Sequence, residues 1–307
     1  MKISIIIPTL NAEKFLAKLL NSLQAQRGIG AYELLVVDSS STDRSCEIAR
    51  TYGAHLKSIA REQFDHGGTR TMAARLAQGD LLVFFTQDAL PVGTGDLQRL
   101  LAVFREDERI GVAYGRQLAR VDATPFSEHL RQFNYPETGY VRRWEDRFTH
   151  GFKTIFISNS FAAYRREALA AVNYFPEHLL FGEDTRTVAN ILEAGWSVCY
   201  VPEARVYHSH NYTIAEEFRR YFDIGAFHVL EKDLLDKFGT PTGTGKRFVR
   251  SEISFLFHRK QYMLVPLSLI RSSAKFIAYA LGKRYRLLPQ NMAQLLSMHR
   301  HWWMKPD

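Results

Sequence analysis

The sequence predicts an α/β fold: a mainly parallel sheet with helices on both faces, then a helical, basic C-terminal extension. Three observations lead there. Over residues 1–120, short apolar β-rich runs alternate with segments of helical period, and units of that length build parallel sheets because each crossover lays a helix on the sheet. Several of the apolar runs stop on a carboxylate, which puts polar chemistry at strand ends. Charge is also unevenly divided. The 307-residue chain has 40 Lys and Arg against 32 Asp and Glu, and residues 246–307 alone hold 12 basic and two acidic residues. The basicity therefore belongs to the tail, and partner arguments belong there too.

Taken in order, "ISIIIPTL" is a first strand whose apolar run before Pro8 is too short for a signal peptide. "AEKFLAKLLNSLQAQ" places Phe15, Leu16, Leu19, Leu20 and Leu23 at helical spacing, with Asn11 as its expected N-cap. "YELLVVDSS" is a second buried strand ending at Asp38, and "STDRSCEIARTYG" a short helix with a Gly stop. After "AHLKSIA", the segment "FDHGGTR" leads into the helix "TRTMAARLAQ". A Gly pair opening a helix leaves backbone N–H groups for phosphate, and Arg70 beside it supplies charge-assisted bonds. "GDLLVFFTQDALP" is a buried strand that stops at Thr86-Gln87-Asp88; "GDLQRLLAVFRED" is a helix and "IGVAYGRQL" a strand.

From Val121 to Phe152 no period emerges, and a long, partly helical surface segment is expected. Its Tyr135, Tyr140, Arg142, Arg143 and Trp144 are candidates for acceptor contacts, since aromatic faces stack on sugars; core packing is an equal reading. "KTIFISNSFAAYRREALAAV" restores a strand and a helix. "FGEDTRTVANILEAGWSVCYVPEARVYHSH" then runs through an acidic turn, an amphipathic helix and a strand to His208 and His210, two apart on one strand face. Hydrophobic content of 46% suffices for a sizeable core. Two cysteines, Cys46 and Cys199, make neither a metal cluster nor a disulfide framework and fit a reducing compartment.

Each polar cluster has a plain reading alone: Asp38 to Asp43 as turn chemistry, "HGGTR" as a tight turn, Glu183-Asp184 as a capped helix start, the His pair as surface residues. Their shared position at strand–helix junctions argues for one site, because ligands of such sheets sit beyond the carboxyl ends of the strands. In order and spacing, "SIIIPTLN", "LLVVDSSSTD", "TRTMAARLAQGD", "TQDA", "GEDTRTVANILEAGW" and "VPEARVYHSH" resemble the inverting glycosyltransferases of family 2, with the GT-A nucleotide-sugar-binding fold, over roughly residues 1–215. "FDHGGTR" and "TQDA" are similar to the rhamnosyltransferase subgroup, which implies dTDP-L-rhamnose as donor. Another UDP-, dTDP- or GDP-sugar is the alternative.

The resemblance implies roles for individual residues. Asp38, beside Pro8 and Thr9, would meet the pyrimidine base, and Arg70 the diphosphate. Asp88 matches the last carboxylate of the DxD motif and would hold Mg²⁺ or Mn²⁺; His208, or His210 as second candidate, would complete the metal shell. Asp184 matches the catalytic base, with Glu183 beside it. The departure is Thr86, which stands where the motif has its first Asp; with Gln87 it still lines the donor site. A neutral hydroxyl leaves one carboxylate to hold the metal, and suits a deoxyribonucleotide donor with one sugar hydroxyl fewer.

Residues 216–307 form the expected helical extension. Taken as a helix, "SLIRSSAKFIAYALGKRY" has a broad apolar side with Arg271, Lys275, Lys283 and Arg284 at its edges. That pattern fits an interfacial helix on an anionic bilayer, while its longest unbroken apolar piece falls short of a span of ~20 residues. The expected setting is cytoplasmic, at the inner face of the bacterial cell membrane, with a glycan or lipid-linked acceptor in cell-surface polysaccharide synthesis. A tail packed on its own domain or on a second subunit is the competing reading, and an oligomer is compatible with it. Two other classes are weaker. "GGTRTM" echoes a nucleotidylyltransferase loop but follows two βα units instead of the first strand. A nucleic-acid-binding tail lacks any recognisable motif, so no nucleic-acid partner is expected.

Overall fold

The computed structural model describes residues 1–240 and 243–304. The first half follows the predicted alternation: β1 (Ile3–Thr9), α1 (Glu13–Gln24), β2 (Tyr32–Asp38), α2 (Ser45–Thr51), β3 (His55–Ser58), α3 (His66–Leu76), β4 (Leu81–Phe85), the short β5 (Leu90–Pro91), α4 (Asp96–Glu106) and β6 (Ile110–Leu118). The aperiodic stretch contains α5 (Pro125–Asn134), β7 (Tyr140–Arg142) and α6 (Arg147–His150). Then come β8 (Phe161–Arg165), α7 (Arg166–Ala171), α8 (Glu183–Glu193) and β9 (Ser197–Tyr207). The C-terminal part holds α9 (Ile214–Leu230), α10 (Lys232–Phe238), α11 (Thr244–His258), α12 (Val265–Gly282) and α13 (Gln290–Leu296).

The strands form one sheet in the order β3-β2-β1-β4-β8-β6-β9-β5, with β7 also on β9. It is parallel across β3, β2, β1 and β4 and mixed beyond, because β8 enters antiparallel between β4 and β6. Successive residues of β1 and β4 serve opposite faces. Ile5, Ile7, Val83 and Phe85 pack under α1 and α4, while Ile6, Leu82 and Phe84 pack with Ala73 and Ala74 of α3 and Val188, Ile191 and Leu192 of α8. Near-continuous apolar strands are what two covered faces require.

Two expectations change here, and one open alternative is decided. Asn11 does not cap α1: its backbone is left-handed (φ 48°) and its side chain accepts from the Thr42 N–H. The start of α1 is capped across the sheet edge instead, with Ser45 taking the Ala12 N–H and Asp43 the Glu13 N–H. The Gly pair of α3 serves packing as well as capping. A Cβ on Gly67 would lie 1.7 Å from the Pro176 carbonyl oxygen, and the Gly68 N–H is taken by Asp65. Among the aromatics of 121–152, Tyr135 is core, 3% exposed, and Tyr140 and Trp144 pack against the same core from its rim.

The extension packs on its own chain. Ser251 of α11 bonds to the buried His129 of α5, and Arg259 pairs with Glu128. α12 lies along α9 at close range. A Cβ on Gly282 would sit 2.0 Å from the Phe222 carbonyl oxygen, and one on Gly225 2.3 Å from that of Tyr279. Gly282→Ala is therefore expected to destabilise the protein by about 1–3 kcal/mol, as overpacking does, read as a lowered denaturation midpoint. The basic residues of α12 correct the expected arrangement. Arg271 and Lys275 do not edge an outward apolar face. They point inward, each about 3 Å from Glu217 Oε1 of α9 (3.0 and 3.1 Å). Burial without such a partner would be costly, so Glu217 explains how two cations sit on a helix's packed side.

Candidate active site

The ends of β1, β2 and β4 share one edge because these strands are parallel. β8 runs the other way, so its start, just after Asn159 and Ser160, faces the end of β4, with Phe161 opposite Phe85. β6 and β9 are parallel to each other and β6 is antiparallel to β8, which returns Gln117 and the residues after Tyr207 to the same edge. Topology thus gathers Asp38, Asp88, Gln117 and His208, from the carboxyl ends of their strands, with Asn159, from the start of β8, on one edge, the usual ligand side of an open α/β sheet.

At the centre of this edge Asp88 meets both histidines. His208 Nε2 lies 3.4 Å from Asp88 Oδ1, and His210 Nε2 lies 3.8 Å from Oδ2. One ligand atom from each falls within 4.8 Å of the others. The histidines lie in the segment just after β9, not on a strand face as expected. Burial opposes ionisation of Asp88, but the His208 hydrogen bond and the charges of both histidines outweigh it and hold the carboxyl well below its ordinary range. Burial, then His208, pushes His210 down to about 4, so its ring is neutral at pH 7 and keeps a free lone pair. One carboxylate and two imidazoles fit a divalent cation, and the nitrogen content tilts the choice from Mg²⁺ toward Mn²⁺.

The sequence did not mark the group that orients His208. Its Nδ1 is 3.0 Å from Gln117 Oε1, and the Arg131 guanidinium donates to that same oxygen. An oxygen already accepting from Arg131 must also accept from His208. Nδ1 therefore carries a proton, and Nε2 is the ring nitrogen that faces Asp88. Gln117 Nε2 donates onward to Ser158 Oγ at 2.9 Å. No local signal marks it, since Gln117 follows Arg116 at the end of the strand "IGVAYGRQL". Gln117→Leu is expected to lower Mn²⁺ affinity about 10–100-fold, as loss of outer-shell partners does, measured by calorimetric titration.

Asp184 and Glu183 open α8 after Gly182, whose backbone is left-handed (φ 78°). Asp184 accepts from the Thr185 N–H at 2.7 Å and the Asn159 N–H at 3.3 Å. Burial, and then the neighbouring charge of Glu183, raises it to about 7. Glu183 goes the other way. Burial works against its charge, yet Arg70 and His66 hold it below the usual range. Arg70 Nη1 is 3.1 Å from Glu183 Oε1 and donates to the His66 carbonyl at 2.8 Å, so Arg70 is buried against Glu183 at the start of α8.

The remaining expected residues line the β1–β2 side. Asp38 is 1% exposed and accepts from Thr9 Oγ1 (3.2 Å), Ser41 N–H (2.8 Å) and Ser41 Oγ (2.5 Å). Pro8 lies within β1 beside them. Gln87 bridges to the backbone of Leu10, accepting from its N–H at 2.8 Å and donating to its carbonyl at 3.1 Å. That clamp ties the end of β4 to the end of β1. Thr86 adds a hydroxyl beside Asp88.

The mixed sheet with helices on both faces is that of the nucleotide-sugar-binding GT-A class of transferases, and a candidate divalent-cation triad lies at its strand-end edge. The chain belongs to glycosyl transferase family 2, whose family model matches residues 4–172. It is similar to the O-antigen chain rhamnosyltransferase RfbN of Salmonella typhimurium, 40% identical over 99% of this chain and 96% of the relative. It is also similar to WbaN of Salmonella anatum, 41% identical over 88% of this chain and 86% of the relative. In fold it resembles a Pyrobaculum calidifontis mannosyltransferase in complex with GDP-Man and Mn²⁺ (TM-score 0.59, 20% identity, 99% of this chain and 83% of that one). Staphylococcus aureus TarS in complex with UDP-GlcNAc shares it too (TM-score 0.54, 19% identity, 94% and 92%).

Proposed function

We propose that the protein is an inverting rhamnosyltransferase that moves L-rhamnose from dTDP-L-rhamnose to a hydroxyl of a lipid-linked glycan in cell-surface polysaccharide synthesis. The observation that carries the chemistry is Asp184, a carboxyl raised to about 7 on the same sheet edge as the Asp88–His208–His210 cluster. The choice of donor and pathway rests on the similarity to O-antigen rhamnosyltransferases along nearly the whole chain.

In this reading Pro8, Thr9 and Asp38 frame the base, and Thr86, Gln87 and Asp88 border the sugar and diphosphate. Asp88, His208 and His210 hold Mg²⁺ or Mn²⁺, which when bound neutralises charge on the leaving diphosphate. Asp184 accepts the proton of the acceptor hydroxyl as its oxygen bonds to the anomeric carbon. The carbon–oxygen bond to the diphosphate breaks in the same displacement, and its electron pair leaves with the nucleotide. One displacement inverts the centre, so no second carboxylate is needed as nucleophile. Glu183 does not touch the acceptor; with Arg70 it sets the field around Asp184. The two histidines make up for the carboxylate missing at Thr86, since they bring the cation two further ligands without further charge.

Catalysis at the inner face of the cell membrane, from the cytoplasmic side, follows from a nucleotide-bound donor and a lipid-linked acceptor. A donor panel tests the proposal: dTDP-rhamnose is expected to be turned over with Mn²⁺ far faster than UDP- or GDP-sugars, with inverted anomeric configuration in the product. A preference for another nucleotide sugar, or retention of configuration, would overturn it.

A further inference from the structure

The outward side of α12 is apolar and bare. Phe276 is 73% exposed, Ile270 57% and Ile277 53%, with Leu269 beside them, and Met263, in the turn just before the helix, is 90% exposed. These positions recur at helical spacing on one side, and from Tyr262 to Gly282 the only charged residues, Arg271 and Lys275, are those buried on Glu217. The exposed face therefore carries no charge along a helix of 18 residues, about 27 Å at the usual rise. Both ends are basic. Lys260 is exposed before it, next to Arg259, which pairs with Glu128, and Lys283, Arg284 and Arg286 are exposed after it.

We infer that α12 lies in the plane of an anionic bilayer, its outward face among the acyl chains and its basic ends on the headgroups. The stretch Tyr262–Gly282 is long and apolar enough to cross a membrane by length and composition, with mean hydropathy 1.3. Crossing, however, would strip Arg271 and Lys275 from Glu217 and place two cations in hydrocarbon, each of which is costly. It would also break the Gly225 and Gly282 contact with α9. Lying flat keeps all of these and still buries the apolar face. A second copy of the chain fits worse. A two-fold contact across this face, parallel or antiparallel, sets one basic end of the helix against another, whereas anionic lipid neutralises both ends. Arg271 also donates to the Tyr212 carbonyl at 2.9 Å, two residues after His210. The lipid-facing helix is thereby bonded to the segment that carries the metal-site histidines. This inference deepens the lipid-linked reading above and rests on it for its purpose, not for its physics.

The test is sedimentation of the full-length protein with vesicles of phosphatidylglycerol and phosphatidylcholine in equal parts, and with phosphatidylcholine alone. The wild type should sediment with the anionic vesicles and lose much of that binding in high salt. A Phe276→Ser, Ile277→Ser variant, altered only at exposed positions, should lose binding by about a hundredfold or more while its thermal midpoint and its transfer to a water-soluble acceptor stay unchanged. Equal sedimentation of the variant overturns the inference, as does a wild type that stays in solution with both vesicles. A wild-type dimer by light scattering that the same variant dissolves would assign the face to a second copy and overturn it too. Failure of the wild type to transfer rhamnose to the soluble acceptor would instead strike the proposed reaction and leave the vesicle result standing.

Discussion

Asp184→Asn is expected to lower the rate of transfer by about 10²–10⁴, the usual worth of a general base, while donor binding stays nearly unchanged. Asn keeps the shape and an oxygen for the Thr185 N–H but cannot take a proton. In the wild type the rate should rise with pH through about 7, because the base is the ionised form and Asp184 titrates there; the Asn variant should lack that limb. Glu183→Gln should move the limb to lower pH, since it removes the neighbouring charge that helps raise Asp184. Stability gives an independent sign. A carboxyl raised above its ordinary 3.8 favours the fold fully below that value, and the contribution is lost as pH rises through about 7. The Asn variant should therefore be at least as stable as the wild type at neutral pH, which separates lost chemistry from lost folding. Ordinary turnover by the Asn variant would rule out Asp184 as base.

The second large effect is expected at Asp88. Asp88→Ala leaves two imidazoles and no carboxylate to balance a divalent cation. Mn²⁺ binding should fall sharply in a calorimetric titration, and turnover by about 10²–10³, the range seen when one fixed electrostatic stabiliser is removed. His208→Ala should follow in the same direction. A chelator that leaves wild-type turnover intact would contradict both.

The alternation of strands and helices and the polar strand ends were legible because β1, β2 and β4 are near-continuous apolar runs that stop on polar residues, whereas the antiparallel entry of β8 was not. The triad was legible only in pieces, as an Asp and a His pair 120 residues apart that β8 and β9 bring together. Arg70 shows why the rest was hidden. One position in "HGGTR" is equally placed for a phosphate or for a carboxylate, and only the packing of α3 against α8 puts Glu183 3.1 Å away. Gln117 was invisible for a related reason, since nothing local distinguishes a Gln that orients a histidine from one at a strand's wet end. In α12 only the place of two cations was hidden. Arg271 and Lys275, four apart beside an apolar stripe, read as its edge, and only the buried Glu217 on another helix turns them inward.

The most direct measurement is a crystal soak with Mn²⁺ and dTDP, read by the anomalous signal of the metal. Manganese should appear among Asp88, His208 and His210, with the diphosphate beside it and the carboxyl of residue 184 open to the same cleft. A metal bound elsewhere, or a nucleotide seated away from that strand-end edge, would dismantle the site as described.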